Sequence, residues 1–199
     1  MAIIDSLKPS VSLSEAQRLL STDGFRGVLR YMRHGRFRWL AQVYIPFDTF
    51  SLEIHRNGMI EGGFIAVDAV NGTLDPYSFE HSPAEADCVA VETRNALPRV
   101  LAARLSQENA EQRVRRLLYQ RGFFRISNLK ITANRQPLSF YVPYWVGFFG
   151  SNSELAMVAI DAVRRQVEGA KVRVMLQQWF TGELQGPCAS EEIEATWAS

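Results

Sequence analysis

Cysteine is scarce in this chain: Cys88 and Cys188 are the only two in 199 residues, too far apart for a CxxC metal or redox motif. Both read as free thiols. Histidine is scarce too, and His34, His55 and His81 show no HxH, HExxH or Cys/His ligand spacing, so neither a metal nor a cofactor is expected. The phosphate-cradling loops GxGxxG and GxxxxGK[ST] are missing, and Gly62-Gly63 after Glu61 reads as a bulge or turn between strands. With 13 Gly and 8 Pro the chain is not collagen-like, and with 47% hydrophobic residues at a net charge of +1 it is not of the disordered class. Long hydrophobic runs are absent. The longest, Phe140 to Phe149, is about half of what a helix needs to cross a bilayer, and it contains Pro143. The opening MAIIDSLKPSVSLSEAQ lacks a basic start, a long apolar stretch and a small-residue cleavage site, so a cytoplasmic globular protein without a transmembrane segment is expected.

What is present is self-similarity. Arg18-Leu19-Leu20 with Gly24-Phe25 matches Arg116-Leu117-Leu118 with Gly122-Phe123 at an offset of 98. Tyr44-Ile45-Pro46-Phe47 matches Tyr141-Val142-Pro143-Tyr144 at 97, and Val67-Asp68-Ala69-Val70 matches Ile160-Asp161-Ala162-Val163 at 93. The order is kept and the drift is small, which points to a duplicated unit of roughly a hundred residues.

Local patterns give each copy a helix followed by strands. Ser12 with Glu15 makes a capping box, Val11 sits at the staple position, and Leu13, Ala16, Leu19 and Leu20 share one helical face, so a helix starts near Leu13. Gly24 or Gly35 ends it. From Phe37 the period becomes two, through Trp39, Ala41, Val43 and Ile45; after Pro46 the apolar set shifts to Phe50, Leu52 and Ile54, which predicts a bulge or bend at the proline. Asn57-Gly58 supplies a hairpin turn, Phe64 to Val67 the return strand, and Asn71-Gly72 the next turn. Cys88 to Glu92 reads as one more strand, and Leu97-Pro98 as the opening of a helical stretch through Val100, Leu101 and Leu105. In the second copy Ala110, Val114, Leu117 and Leu118 form a helical face, and strands are expected near Phe123–Ile131, Leu138–Phe149 and Leu155–Ile160. Val172, Met175, Leu176, Trp179 and Phe180 then have the spacing of an amphipathic helix that Gly182 stops. The fold class expected is therefore α+β, with two tandem helix-plus-antiparallel-sheet units over residues 1–80 and 81–185, and an acidic tail, expected to be flexible, over 186–199.

A helix on a short antiparallel sheet that closes with Val67-Asp68-Ala69-Val70-Asn71-Gly72, and again with Ile160-Asp161-Ala162-Val163, resembles the PepSY and cystatin-like modules. Arg164-Arg165 stands in the second copy where Asn-Gly stands in the first. The resemblance implies non-catalytic binding or regulatory modules.

Charge is segregated along the chain. Arg26 to Arg38 holds five Arg and no acid, whereas Asp48 to Glu92 holds nine acids and one Arg. Arg94 to Arg135 is basic again. Arg30, Arg33, Arg113, Arg115 and Arg116 are thus candidates for an anion or nucleic-acid surface, against the plainer reading of solvated helix faces. Phe140, Tyr141, Tyr144, Trp145, Phe148 and Phe149 put six rings in ten residues. Alternation buries only about half of them on one sheet face, and the candidates for a partner surface are drawn from Tyr141, Tyr144, Trp145, Phe148 and Phe149 unless the strand is central and covered on both sides. Cys88 and His81 are the only neighbouring thiol and imidazole, and nothing in HSPAEADC lowers a thiol pKa. Asp68 and Asp161 form an acid/base pair only if the copies bring them together. The function read from the residues is a non-catalytic protein-interaction module, an accessory or assembly subunit with a protein partner or a second copy, with nucleic-acid binding as the alternative and an enzyme third.

Overall fold

The computed structural model describes residues 1–20, 32, 35–56, 58–120, 129–150 and 155–184. In chain order the elements are β1 (Ala2–Leu7), α1 (Leu13–Leu20), β2 (Phe37–Arg56), β3 (Met59–Asp68), β4 (Tyr77–Phe79), a 3-10 turn (Glu85–Asp87), β5 (Cys88–Thr93), α2 (Ala103–Gln120), β6 (Lys130–Gly150), β7 (Leu155–Asp161), β8 (Gln166–Val167) and α3 (Ala170–Phe180). The eight strands form one curled mixed sheet of order β4-β3-β2-β6-β1-β5, with β7 also on β6 and β8 on β7. This overturns the expected pair of tandem helix-plus-sheet units. The reason lies in β2 and β6, which pair antiparallel from Phe37↔Phe149 to His55↔Lys130 and so fuse both halves into a single sheet.

The matched motifs take corresponding places in that sheet. Ala69 N–H donates to the Pro46 carbonyl at 2.8 Å and Ala162 N–H to the Pro143 carbonyl at 3.0 Å. Asp68 accepts from the amides of Val70, Asn71, Gly72 and Leu74, while Asp161 accepts from those of Val163 and Arg164. Gly72 has φ +67°, and Arg165 takes the same left-handed conformation at φ 60° in the second turn, where glycine would be the unstrained choice.

Each long strand serves two cores in succession. Trp39, Ala41, Val43, Ile45 and Phe47 face one side of the sheet, where β6 contributes Phe140, Val142, Tyr144, Val146 and Phe148 and α3 contributes Val172, Met175 and Leu176. On the other side α2 packs Ala110 and Val114 on Phe50, Leu52, Ile65 and Val67, and α1 packs Ala16 and Leu20 on Trp145, Phe149, Val158 and Ile160. The apolar switch after Pro46 is therefore a change of covered face. The irregularity lies in β6: between Asp48 and Phe50 the partner register runs from Ser139 to Arg135, so the extra residues are there and not at the proline. A second bulge, at Arg38, turns Phe37 to the α1 side, against the expected alternation with Trp39.

Other expectations meet the structure unevenly. Ser12 Oγ accepts the Glu15 amide at 3.3 Å and Val11 is buried, as the capping pattern requires. The helix opened at Leu97-Pro98 begins instead at Ala103, because Leu97 N–H pairs with the Tyr44 carbonyl and Leu101 N–H with the Ala69 carbonyl. Both β1 and β4 went unread. Asn57, Gly24, residues 121–128 and the tail after Leu184 lie outside the described residues.

Gly147 sits between Trp145 and Phe149 under α1, and a Cβ there meets Leu20 Cδ1 at 2.9 Å and Phe149 Cε2 at 3.1 Å. The Leu20 tip can turn aside for one methyl but not for a branched side chain. Gly147→Ala is expected to fold with little loss, and Gly147→Val to lose about 1–3 kcal/mol by overpacking. Urea denaturation checks this; equal stability of the two variants would mean that α1 does not seat on Gly147.

Candidate partner-binding groove

The aromatic strand is central, and its rings are mostly spent inside. Tyr144, Trp145 and Phe149 are buried, and Trp145 Nε1 donates to the Val11 carbonyl at 2.9 Å. Tyr141 is half-buried, with the Arg99 guanidinium 5.6 Å from its ring centroid. Phe148 lines a surface groove. Arg30 and Arg33 lie outside the described residues. Arg113 donates through Nε and Nη2 to the Gly72 carbonyl at 3.0 and 2.5 Å, so it fastens α2 to the Asp68 turn, while Arg115 and Arg116 are exposed on α2.

The groove lies between the end of α3 and the β2–β6–β7 side of the sheet and has a volume of about 470 Å³. Trp39 stacks on Phe148 at 4.9 Å with 21° between the planes, and Phe180 meets Phe148 edge-on at 5.7 Å. Leu155, Met157 and Trp179 extend the apolar wall over Ala41 and Val43, and Asn95, Gln177 and Thr181 supply the polar atoms. Among the described residues no ionisable side chain lines it. Such a lining suits burial of an apolar group and offers no acid or base for a reaction. The period-two run sets Trp39 on the same face as the buried Val43 and Ile45; the structure leaves it 47% exposed, where among the described residues no helix covers this end of β2. The signal for its exposure was its place directly after Arg36-Phe37-Arg38.

The ionisable clusters elsewhere are closed on themselves. Asp48 is buried and takes Arg99 at 2.6 Å, Arg135 at 2.9 Å and the Ser106 hydroxyl at 3.1 Å. Tyr77 donates its hydroxyl to Asp161, and the Arg164 guanidinium lies 3.5 Å over the Tyr77 ring. Burial pushes the Tyr77 and Tyr144 hydroxyls well above the ordinary tyrosine range, so both stay protonated. Asp68 and Asp161 are each occupied by their own turn, which removes the acid/base pairing. Burial, with Asp5 and Asp87 nearby, raises the Cys88 thiol, the reverse of what a nucleophile needs.

No protein-family model, curated protein or solved structure matches this chain, and none identifies a PepSY or cystatin-like module. Among the described residues no helix is long and apolar enough to cross a membrane.

Half-buried Glu168 is raised above the ordinary carboxylate value by burial first and then by Asp161. Its folded form binds a proton more readily than its unfolded form, so stability falls as pH rises from the ordinary value through the raised one. Glu168→Gln is therefore expected to raise Tm at about pH 7, and the gain should vanish near pH 3, below the ordinary value of about 4.3. An equal gain at both pH values would show that ionisation of Glu168 is not its source.

Proposed function

We propose that this chain is a non-catalytic protein-interaction module of the cytoplasm, an accessory or assembly subunit, and that the aromatic groove is its contact surface. The observation that carries this reading is the grouping of Trp39, Leu155 and Phe180, 47%, 47% and 50% exposed, around one groove without an ionisable lining. Single exposed apolar residues are ordinary on a protein surface, whereas several around one concavity favour a partner. The stacked pair Trp39–Phe148 has the make-up of an interface hot spot, a large ring held rigid before binding. The contact surface thus moves from the buried rings of β6 to the ring that β2 lays over them. The acidic tail, also named as a contact surface, lies outside the described residues.

Trp39→Asp should leave folding nearly unchanged, since Trp39 is half exposed, but weaken binding of a stoichiometric partner or second copy roughly 30-fold or more, as for a hot-spot residue worth ~2 kcal/mol. The complex would be recovered from nuclease-treated extract, identified, and titrated with both proteins. Unchanged affinity for a nuclease-resistant partner would remove the groove as contact surface. Loss of all partners on nuclease treatment would favour the exposed Arg115 and Arg116 of α2 and a nucleic acid instead.

A further inference from the structure

One wall of the groove lies along the outer edge of β2, and among the described residues that edge is open. Among the described residues no strand pairs with it between Trp39 and Val43: β3 starts its pairing at Phe47, and before that the edge has the bridge Tyr44↔Ala96. Three hydrogen bonds show which backbone groups point outward. Tyr44 N–H donates to the Asn95 carbonyl at 2.9 Å, Leu97 N–H donates to the Tyr44 carbonyl at 2.9 Å, and Asn95 Nδ2 donates to the Gln42 carbonyl at 3.0 Å. Strand residues alternate in the edge they address, and the register from Trp39 to Val43 is unbroken. The N–H and C=O of Leu40 and the N–H of Gln42 therefore face the same open side as Tyr44.

Charge supplies the second argument. The segments along the open edge, 36–43 and 94–96, carry Arg36 and Arg94, with Arg38 donating to the Gly150 carbonyl, and no acidic residue. An acidic segment is drawn to such a border, and a second copy pairing edge to edge would set two basic borders together.

Resting on the protein-interaction reading above, we infer that this site binds an extended acidic segment of a partner protein as an added strand on β2. Leu40 and Gln42 supply the backbone hydrogen bonds, and an apolar side chain of the segment enters the groove between Trp39, Phe148 and Phe180. Alternate positions of such a strand point the same way, so apolar residues interleaved with Glu or Asp satisfy groove and border together.

The probe is a fluorescent acetyl-Glu-Ile-Glu-Phe-Glu-Ile-Glu-amide, titrated with the full chain by polarisation. Saturable binding is expected, at least tenfold weaker for the peptide with Lys in place of Glu. Gln42→Pro deletes an outward N–H without touching the β2–β6 ladder, where proline is tolerated on an edge. It should weaken binding at least tenfold while Tm is kept. If that variant does not fold, the peptide methylated on each backbone nitrogen tests the same bonds and should fail to bind. Binding that survives both changes but is lost in Trp39→Asp overturns strand addition and leaves the groove as a contact surface. No peptide binding, together with a partner affinity indifferent to Trp39→Asp, overturns both readings. Displacement by a short oligothymidylate, a dimer that Trp39→Asp abolishes, or peptide binding that appears only in full-length Trp197→Asp would assign the groove to nucleic acid, a second copy or the chain's own C-terminal segment, and each overturns the proposal.

Discussion

The antiparallel pairing of β2 with β6 is the constraint on which the rest of the structure depends. Strands of 20 and 21 residues run beside each other for nearly their whole length. Each needs apolar residues on one face for part of its course and on the other for the remainder, because α1 and α2 cover opposite ends of one side and α3 covers the other side. The near-continuous run from Tyr144 to Phe149 is what such a doubly covered strand requires. Gly147 interrupts that run at the point where α1 comes closest.

Burial of carboxylates follows from the same geometry. Each hairpin off the central pair ends in a tight turn whose amides lie away from water, and Asp68 and Asp161 satisfy those amides from inside. Asp48 holds Arg99 and Arg135 beside the β6 irregularity, where the ladder is broken. These acids are consumed by the fold. At the end of β2 that no described helix covers, the groove is lined by apolar side chains and three uncharged polar ones.

Much of the local structure was legible in the sequence, and the assembly was not. The period-two run from Trp39, the alternation of Phe50, Leu52 and Ile54, the Asn71-Gly72 turn and the 3.6-residue spacing of Val172, Met175 and Leu176 are near-neighbour effects, which the order of residues carries directly. Pairing between β2 and β6 joins residues about ninety positions apart, and periodicity says nothing about which strand lies beside which. The repeat of Tyr44-Ile45-Pro46 in Tyr141-Val142-Pro143 was visible, but tandem units and a single interleaved sheet share the same local patterns. β1 was missed because Asp5 and Ser6 break its alternation, and β4 because three residues carry no period. The exposure of Trp39 depends on where α3 stops across the sheet, a tertiary fact.

The pairing of β1 bears on synthesis. This strand leaves the ribosome before the other strands of the sheet, yet its partners are β5, beginning at Cys88, and β6, which meets Ser6 at Tyr141. Until β5 has emerged, Ile4 and Leu7, both buried in the finished protein, have no partner strand to join. Closure of such distant contacts is entropically slow, so the nascent chain spends much of its elongation with unpaired strands. The topology thereby leaves β1 unpaired through the early part of synthesis, however stable the completed sheet is.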